Sequence, residues 1–255
     1  MTIIVGIICK DDLVVGSDCQ TSKTTSETAK RLDSDKISVI TFRDGLPVLV
    51  AESGACVITQ RLIEIMMEDA KRVDTSGYRE PADCAQRAVN KLKAEILIPL
   101  MPQGRSAEEI QDIYNSYDAS LLIAYYHNKE PFLYSIDFSI GSACREKKYA
   151  LLGCGSNVAE LMTSWFDFSQ MSWAQAIVTV GFIIGEVKKV DAMCGGPTKI
   201  KSIKLSTGEV RTLSAEKLQS LEDEVEVGAR RYKSEWESNI LKIVNETIKR
   251  WQKTK

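Results

Sequence analysis

Thr2, Asp18, Lys36 and Gly54 are the residues whose types and placement suit hydrolytic chemistry that needs no histidine. Thr2 carries a hydroxyl and, once Met1 is removed, as the small Thr2 side chain favours, a free α-amine on the same residue. An α-amine has an unperturbed pKa of about 7.7–8.0, so part of it is neutral near pH 7 and accepts the hydroxyl proton directly or through a water. Nucleophile and base are then built into one residue. A neighbouring cation lowers the amine's pKa and a carboxylate holds that cation in place; Lys36 and Asp18 supply one of each. Gly54 offers a backbone N–H that no side chain obstructs, suited to a developing oxyanion. If Met1 is retained, Thr2 is blocked and the Asp18–Lys36 couple reads as a structural ion pair.

The elements that must position these residues are strands. Ile3 to Cys9 and Leu13 to Ser17 are apolar and β-branched around the turn-forming Lys10-Asp11-Asp12, a hairpin signal. With the turn near Asp11, equal numbers of residues run out and back at about 3.3 Å each, so Asp18 arrives beside Thr2. A polar, Ser- and Thr-rich loop from Cys19 to Asp35 follows. Lys36 opens a third strand to Ile40, and Leu46 to Ala51 form a fourth, with Glu52-Ser53-Gly54 breaking the pattern before a helix.

From Ala55 the apolar period becomes helical, and a second helix begins near Pro81. Ser120–His127 with Pro131–Asp137 form another hairpin candidate, and Lys148–Leu152 a further strand. Gly153-Cys-Gly-Ser156 is a tight strand-to-helix turn rather than a dinucleotide cradle, because Val158 occupies the third glycine's place. Ser172 reads as the N-cap of a helix over Trp173–Val190. Lys199–Leu205 and Glu209–Leu213 close the body as a last hairpin around Thr207-Gly208. Helix pairs alternating with antiparallel hairpins, and strands apolar on both faces, predict an α+β fold: a four-layer αββα sandwich over residues 1–213. Residues 214–255 carry Leu218, Leu221, Val225, Tyr232, Trp236, Ile240 and Ile243 at three- and four-residue intervals, an amphipathic helical extension that packs on the body or on a neighbouring subunit.

Composition narrows the chemistry further. The 255 residues hold 33 Lys and Arg against 35 Asp and Glu, a net charge of −2, with no block of like charge that calls for nucleic acid or a membrane surface. The single histidine, His127, sits at a hairpin turn; one histidine excludes any multi-histidine metal site. Seven cysteines, an odd number with no Cys-x-x-Cys pair, argue against a disulfide framework or zinc ribbon and read as reduced thiols of a cytoplasmic protein. Ala174–Gly185, the most apolar later stretch, is too short to span a bilayer. No metal or cofactor is expected.

Taken in order, Thr2, Gly16-Ser-Asp18, the strand-initial Lys36, Ser53-Gly54 before a helix, Gly153-Cys-Gly-Ser156 and Asp191-Ala-Met-Cys-Gly-Gly196 resemble the catalytic β-type subunits of the proteasome and their bacterial relatives, which are N-terminal nucleophile hydrolases. The resemblance covers about residues 2–213. It implies Thr2 as nucleophile, Asp18 and Lys36 as the pair tuning its amine, Gly54 as oxyanion donor and Asp191 as support for the terminal residue. Cys154 and Cys194 stand where the family usually has serines that hydrogen-bond around the threonine amine. Ser22 and Glu52 are the substrate-binding candidates; a carboxylate at Glu52 would favour Lys or Arg before the cleaved bond, the alternative being a rim charge facing solvent. The activity so implied is a threonine endopeptidase acting on peptides or unfolded proteins within a homo-oligomeric ring, served by an ATPase unfoldase or related ring subunits. The alternatives are a non-catalytic ring subunit and an amidase or transpeptidase with one dedicated substrate.

Overall fold

Every second residue of the apolar strands faces a different layer, which is how a chain fills three cores with two sheets. A computed structural model describes residues 2–25, 28–75, 77, 79–97, 106, 108–109, 112–113, 117–214, 216–220, 223–224 and 227. β1 (Ile4–Ile8) and β2 (Asp12–Ser17) pair as the expected hairpin, Ile4 opposite Ser17 and Ile8 opposite Leu13. β5 (Ile37–Thr41) and β6 (Pro47–Gly54) form a second hairpin, β7 (Ala119–His127) and β8 (Glu130–Asp137) a third, and β11 (Lys199–Lys204) and β12 (Val210–Thr212) a fourth.

With β9 (Ala143–Glu146) and β10 (Tyr149–Leu152), these make two five-stranded antiparallel sheets, ordered β10-β1-β2-β11-β12 and β5-β6-β7-β8-β9. Ile4, Leu13 and Val15 of the first sheet meet Leu49, Ala51, Leu122 and Ala124 of the second in a buried inter-sheet core. Ile3, Val5, Ile7 and Val14 point the other way, onto α3 (Ser156–Thr163) and α4 (Trp173–Val190). Val48, Val50, Leu121, Ile123 and Tyr125 face α1 (Cys56–Ala70) and α2 (Glu80–Leu97). The order is helices, sheet, sheet, helices: the four-layer αββα sandwich expected from the strand and helix pattern.

α4 begins where its cap predicts. The Ser172 hydroxyl accepts from the Gln175 backbone N–H and Gln175 Oε1 accepts from the Ser172 N–H, a reciprocal box that satisfies two otherwise orphaned donors. The β7–β8 turn places Asn128 and Lys129 at positive φ, 49° and 67°, as a tight two-residue hairpin requires.

Three local expectations differ. The stretch after Asp18 is a hairpin, β3 (Gln20–Thr25) with β4 (Thr28–Asp33), joined to neither large sheet; its Thr-rich sequence has strand propensity but no apolar alternation to announce it. Glu52-Ser53-Gly54 continues β6 instead of breaking it. β9 is an edge strand of four partly or fully exposed residues, too short and too polar for a periodic signal. Of the extension, residues 216–220 are helical and Leu218 is buried against the α3–α4 core; Leu221, Val225 and the apolar positions from Tyr232 onward lie outside the described residues. No helix among the described residues is long and apolar enough to cross a membrane.

Candidate active site

The register that sets Ile4 opposite Ser17 leaves Thr2 and Asp18 side by side just beyond the paired strands. Both are buried, at 1% and 0% exposure, so each polar atom must be satisfied within the protein. The Thr2 hydroxyl donates to Asp18 Oδ1, and the Lys36 ammonium donates to Thr2 Oγ1. Lys36 Nζ also lies 2.8 Å from Asp18 Oδ1 and donates to the Gln20 carbonyl at 2.7 Å. Two backbone donors complete the arrangement: Ile3 N–H at 3.1 Å on Asp18 Oδ1 and Gly195 N–H at 3.0 Å on Oδ2. Asp18 thus accepts from Thr2, Ile3, Lys36 and Gly195, close to the capacity of a carboxylate. So engaged, the carboxylate anchors Thr2, Lys36 and the Gly195 loop to one another.

Gly54 is set by its neighbours in β6. The Glu52 N–H donates to the Lys36 carbonyl at 3.0 Å, on the β5 side, and the Ala55 N–H donates to Asp118 on the β7 side. Alternation along an antiparallel strand puts the Gly54 N–H on the Lys36 side, at a level where β5, which starts at Ile37, has not begun. Gly54 has φ +101°, and a Cβ there would lie 1.8 Å from the Asp118 carbonyl oxygen, so only glycine fits. Gly153 has the same constraint at the β10–α3 turn: φ is +93°, and a Cβ would lie 2.1 Å from the Thr2 carbonyl oxygen and 2.9 Å from Ser53 Oγ. It is the spacer between Thr2 and the end of β6.

Asp191 does not bond Thr2 directly. It closes α4, where its Oδ1 accepts from the Met193 N–H at 2.9 Å and its Oδ2 from the Cys194 thiol at 3.7 Å. Cys194 Sγ is 3.6 Å from Cys154 Sγ, and the Cys154 thiol reaches the Thr2 carbonyl at 3.5 Å. The Met193 N–H holds the Asp191 carboxyl below its ordinary range. Burial pushes both thiols up. Ligand atoms of Cys154, Asp191 and Cys194 all lie within 4.8 Å of one another, the one such group of potential metal ligands found among the described residues.

Glu52 faces α1, on the opposite side of β6 from Ser53. Its Oε2 is buried without a hydrogen-bond partner among the described residues. Burial raises the Glu52 carboxyl above its usual range, partly offset by the Thr59 hydroxyl and the Lys36 ammonium. Ser22 lies on β3, and its side chain is outside the described residues.

The structure therefore gathers Thr2, Asp18 and Lys36 into direct contact, places Gly54 beside them through Gly153 and Ser53, and joins Asp191, Cys154 and Cys194 into an adjoining cluster. Gln20, Gly153 and Gly195 belong to the same constellation; Gln20 is not singled out in the sequence, and Gly153 and Gly195 stand within their motifs without a role of their own. Gln20 and Gly195 act through backbone groups that any residue type carries, whereas Gly153 had a signal in its glycine-rich turn.

A family model described as "Proteasome subunit" matches residues 2–203, most of the chain. The chain belongs to the proteasome subunit family. Among solved structures, this proteasome-family chain is similar to the Anbu (Gly-1) mutant from Hyphomicrobium sp. strain MC1, at 15% identity over 93% of this chain and 100% of that one, with a TM-score of 0.70. Anbu from the same strain aligns at 13% identity over 91% and 97%, with a TM-score of 0.69. Anbu (ancestral beta-subunit) from Yersinia bercovieri aligns at 12% identity over 91% and 96%, with a TM-score of 0.70. Identities this low carry the proteasome-type fold. A search of curated proteins gave no match.

Proposed function

We propose that this proteasome-family chain is a threonine peptidase whose nucleophile is the Thr2 hydroxyl, freed for catalysis by removal of Met1. The observation that carries the reading is the contact of Lys36 Nζ and Asp18 with Thr2 Oγ1 in a buried setting. With Asp18 accepting from four donors and Lys36 donating to Thr2 Oγ1, the proton acceptor that suits the reaction is the Thr2 α-amine. In acylation, Thr2 Oγ1 attacks the peptide carbonyl and its proton passes to the α-amine. The carbonyl oxygen becomes an oxyanion, held by the Gly54 N–H. The C–N bond then breaks and the leaving amine takes the proton, leaving an ester on Thr2. A water, losing its proton to the same α-amine, attacks the ester and regenerates the hydroxyl. Asp191, Cys154 and Cys194 support the terminal residue through the Thr2 carbonyl.

Glu52, two residues before Gly54, acts in substrate choice, favouring Lys or Arg before the cleaved bond. The substrates are peptides or unfolded proteins, reached inside a homo-oligomeric ring in the cytoplasm, with an ATPase unfoldase or related ring subunits as partners. Residues 1–213 form the hydrolase domain, and residues 214–255 extend it as a helical tail.

The test is the intact mass of the native protein together with turnover of fluorogenic peptides by Thr2→Ala and Thr2→Ser. The expected result is a mass lacking Met1, at least ~10³-fold loss in Thr2→Ala and partial retention in Thr2→Ser. A full-length mass with Met1 in place, or undiminished turnover by Thr2→Ala, overturns the reading and leaves the non-catalytic ring subunit, for which Asp18–Lys36 is a structural ion pair.

A further inference from the structure

Cys154 and Cys194 are forty residues apart in the chain, so no spacing rule connects them. The fold does: one sits on the β10–α3 turn and the other on the loop after α4, and both loops are pinned. Gly155 N–H donates to the Thr2 carbonyl at 3.4 Å on one side, and Cys194 N–H to the Asp191 carbonyl at 3.0 Å on the other.

We propose that Cys154, Cys194 and Asp191 form a binding site for a thiolate-preferring divalent ion of the zinc class. Two of the three separations match those of ligand atoms around one tetrahedral ion. Metal–sulfur bonds of about 2.3 Å and metal–oxygen bonds of about 2.0–2.2 Å put neighbouring ligand atoms roughly 3.5–3.8 Å apart. The sulfurs are 3.6 Å from each other, and Cys194 Sγ is 3.7 Å from Asp191 Oδ2. The third separation, Cys154 to Asp191, closes the triangle within 4.8 Å.

The chemistry of the donors points the same way. A disulfide needs two sulfurs at about 2.05 Å and has no use for a carboxylate at the same vertex, whereas an ion needs the third donor. Asp191 is oriented for the task, its Oδ1 fixed by the Met193 N–H while Oδ2 faces the sulfur, which is how outer hydrogen bonds set a ligand's direction. Cys154 is exposed and gives an entry path; Cys194 is buried and gives rigidity. On binding, two metal–sulfur bonds replace two S–H bonds, the protons leave to solvent, and no electron is transferred. Three protein ligands leave one tetrahedral position for water.

The site adjoins the Thr2 carbonyl, which the Cys154 thiol reaches in the metal-free form; metal binding replaces that contact, and the test reads binding, not turnover, so it stands or falls independently of the peptidase reading. Full-length untagged protein, reduced and stripped of metal, is titrated with Co²⁺ and followed by absorbance. Saturation at one equivalent, with sulfur-to-cobalt charge transfer in the near ultraviolet and intense visible bands of tetrahedral Co²⁺, is expected. Zn²⁺ should bleach these bands and Mg²⁺ should not. Cys154→Ser and Cys194→Ser should each lose them, Asp191→Asn should weaken binding about tenfold or more, and Cys144→Ser, at an exposed thiol elsewhere on the surface, should keep them. Circular dichroism of each variant checks its folding. Absence of stoichiometric binding by the wild-type chain, an octahedral spectrum, or full retention of the bands in folded Cys154→Ser overturns the proposal.

Discussion

The Lys36 ammonium stands 2.8 Å from Asp18 Oδ1 with the two side chains 7% and 0% exposed, a charge pair that neither water nor salt reaches freely. Such a pair is stable because each charge compensates the desolvation of the other. Lys36→Met should therefore destabilise the fold by about 3–5 kcal/mol, since it leaves a buried carboxylate without its cation. Asp18→Asn should also be costly, and the double variant should recover part of the loss, with a coupling on the order of 2 kcal/mol in a denaturant double-mutant cycle. Losses that simply add would show that the pair is not a unit.

Two glycines at positive φ separate backbone conformation from crowding. At Gly45, φ +88°, a Cβ meets nothing within 4 Å; at Gly54, φ +101°, it falls 1.8 Å from the Asp118 carbonyl oxygen. Gly45→Ala should cost about 1–2 kcal/mol, the left-handed penalty alone. Gly54→Ala must displace β6 from β7 as well, so its loss should exceed about 3 kcal/mol and turnover should fall with it. Equal melting temperatures for the two variants would contradict this.

Glu52 makes stability depend on pH in a known direction. Its carboxyl is raised above its usual range by burial, so the fold disfavours the ionised form. The stabilisation by the protonated form is fully present below the unfolded pKa, about 4.3, and is lost as pH rises through the raised folded value. Glu52→Gln should accordingly raise the melting temperature at pH 7 by one to a few degrees, on the order expected for a chain of this size, and the gain should vanish toward pH 4. The same variant should lose any preference for Lys or Arg substrates. A destabilised Glu52→Gln at pH 7 would mean that the Thr59 hydroxyl and the Lys36 ammonium outweigh the burial of the carboxylate.

Ser172 tests the frame independently of the chemistry. Removing its hydroxyl abolishes the capping box at the start of α4, so Ser172→Ala should cost ~1 kcal/mol, about 2–4 °C in melting temperature, with peptide turnover unchanged. A calorimetric scan beside a turnover assay checks both halves.

Elements with strong periodicity or local chemistry were legible in the sequence. Ser172 and the helix over Trp173–Val190 match the structure residue for residue, because a cap is a short-range signal. The αββα layering follows from strands apolar on both faces, and the meeting of Thr2 with Asp18 from counting residues around Asp11. β3–β4 escaped because a Thr-rich polar hairpin lacks the alternation that a buried face imposes, and β9 because an edge strand has little to bury. Within the site, side chains that carry charge were recognisable by type. The Gln20 carbonyl and the Gly195 N–H were not, since a backbone group becomes a site only through tertiary position.

The hairpin registers have one more consequence. The turns at Asp11, Asp44, Asn128 and Thr207 all lie at the end of the sandwich opposite Thr2, as the pairings of Ile4 with Ser17 and Ile37 with Ala51 require. The molecule is thus polar in its tolerance to change. At the turn end, loops can lengthen, take insertions or carry tags without disturbing the contacts among Thr2, Asp18 and Lys36. At the Thr2 end, Gly54 and Gly153 leave no room for even one added carbon. Mutational drift in this chain should gather at one end and be nearly absent at the other.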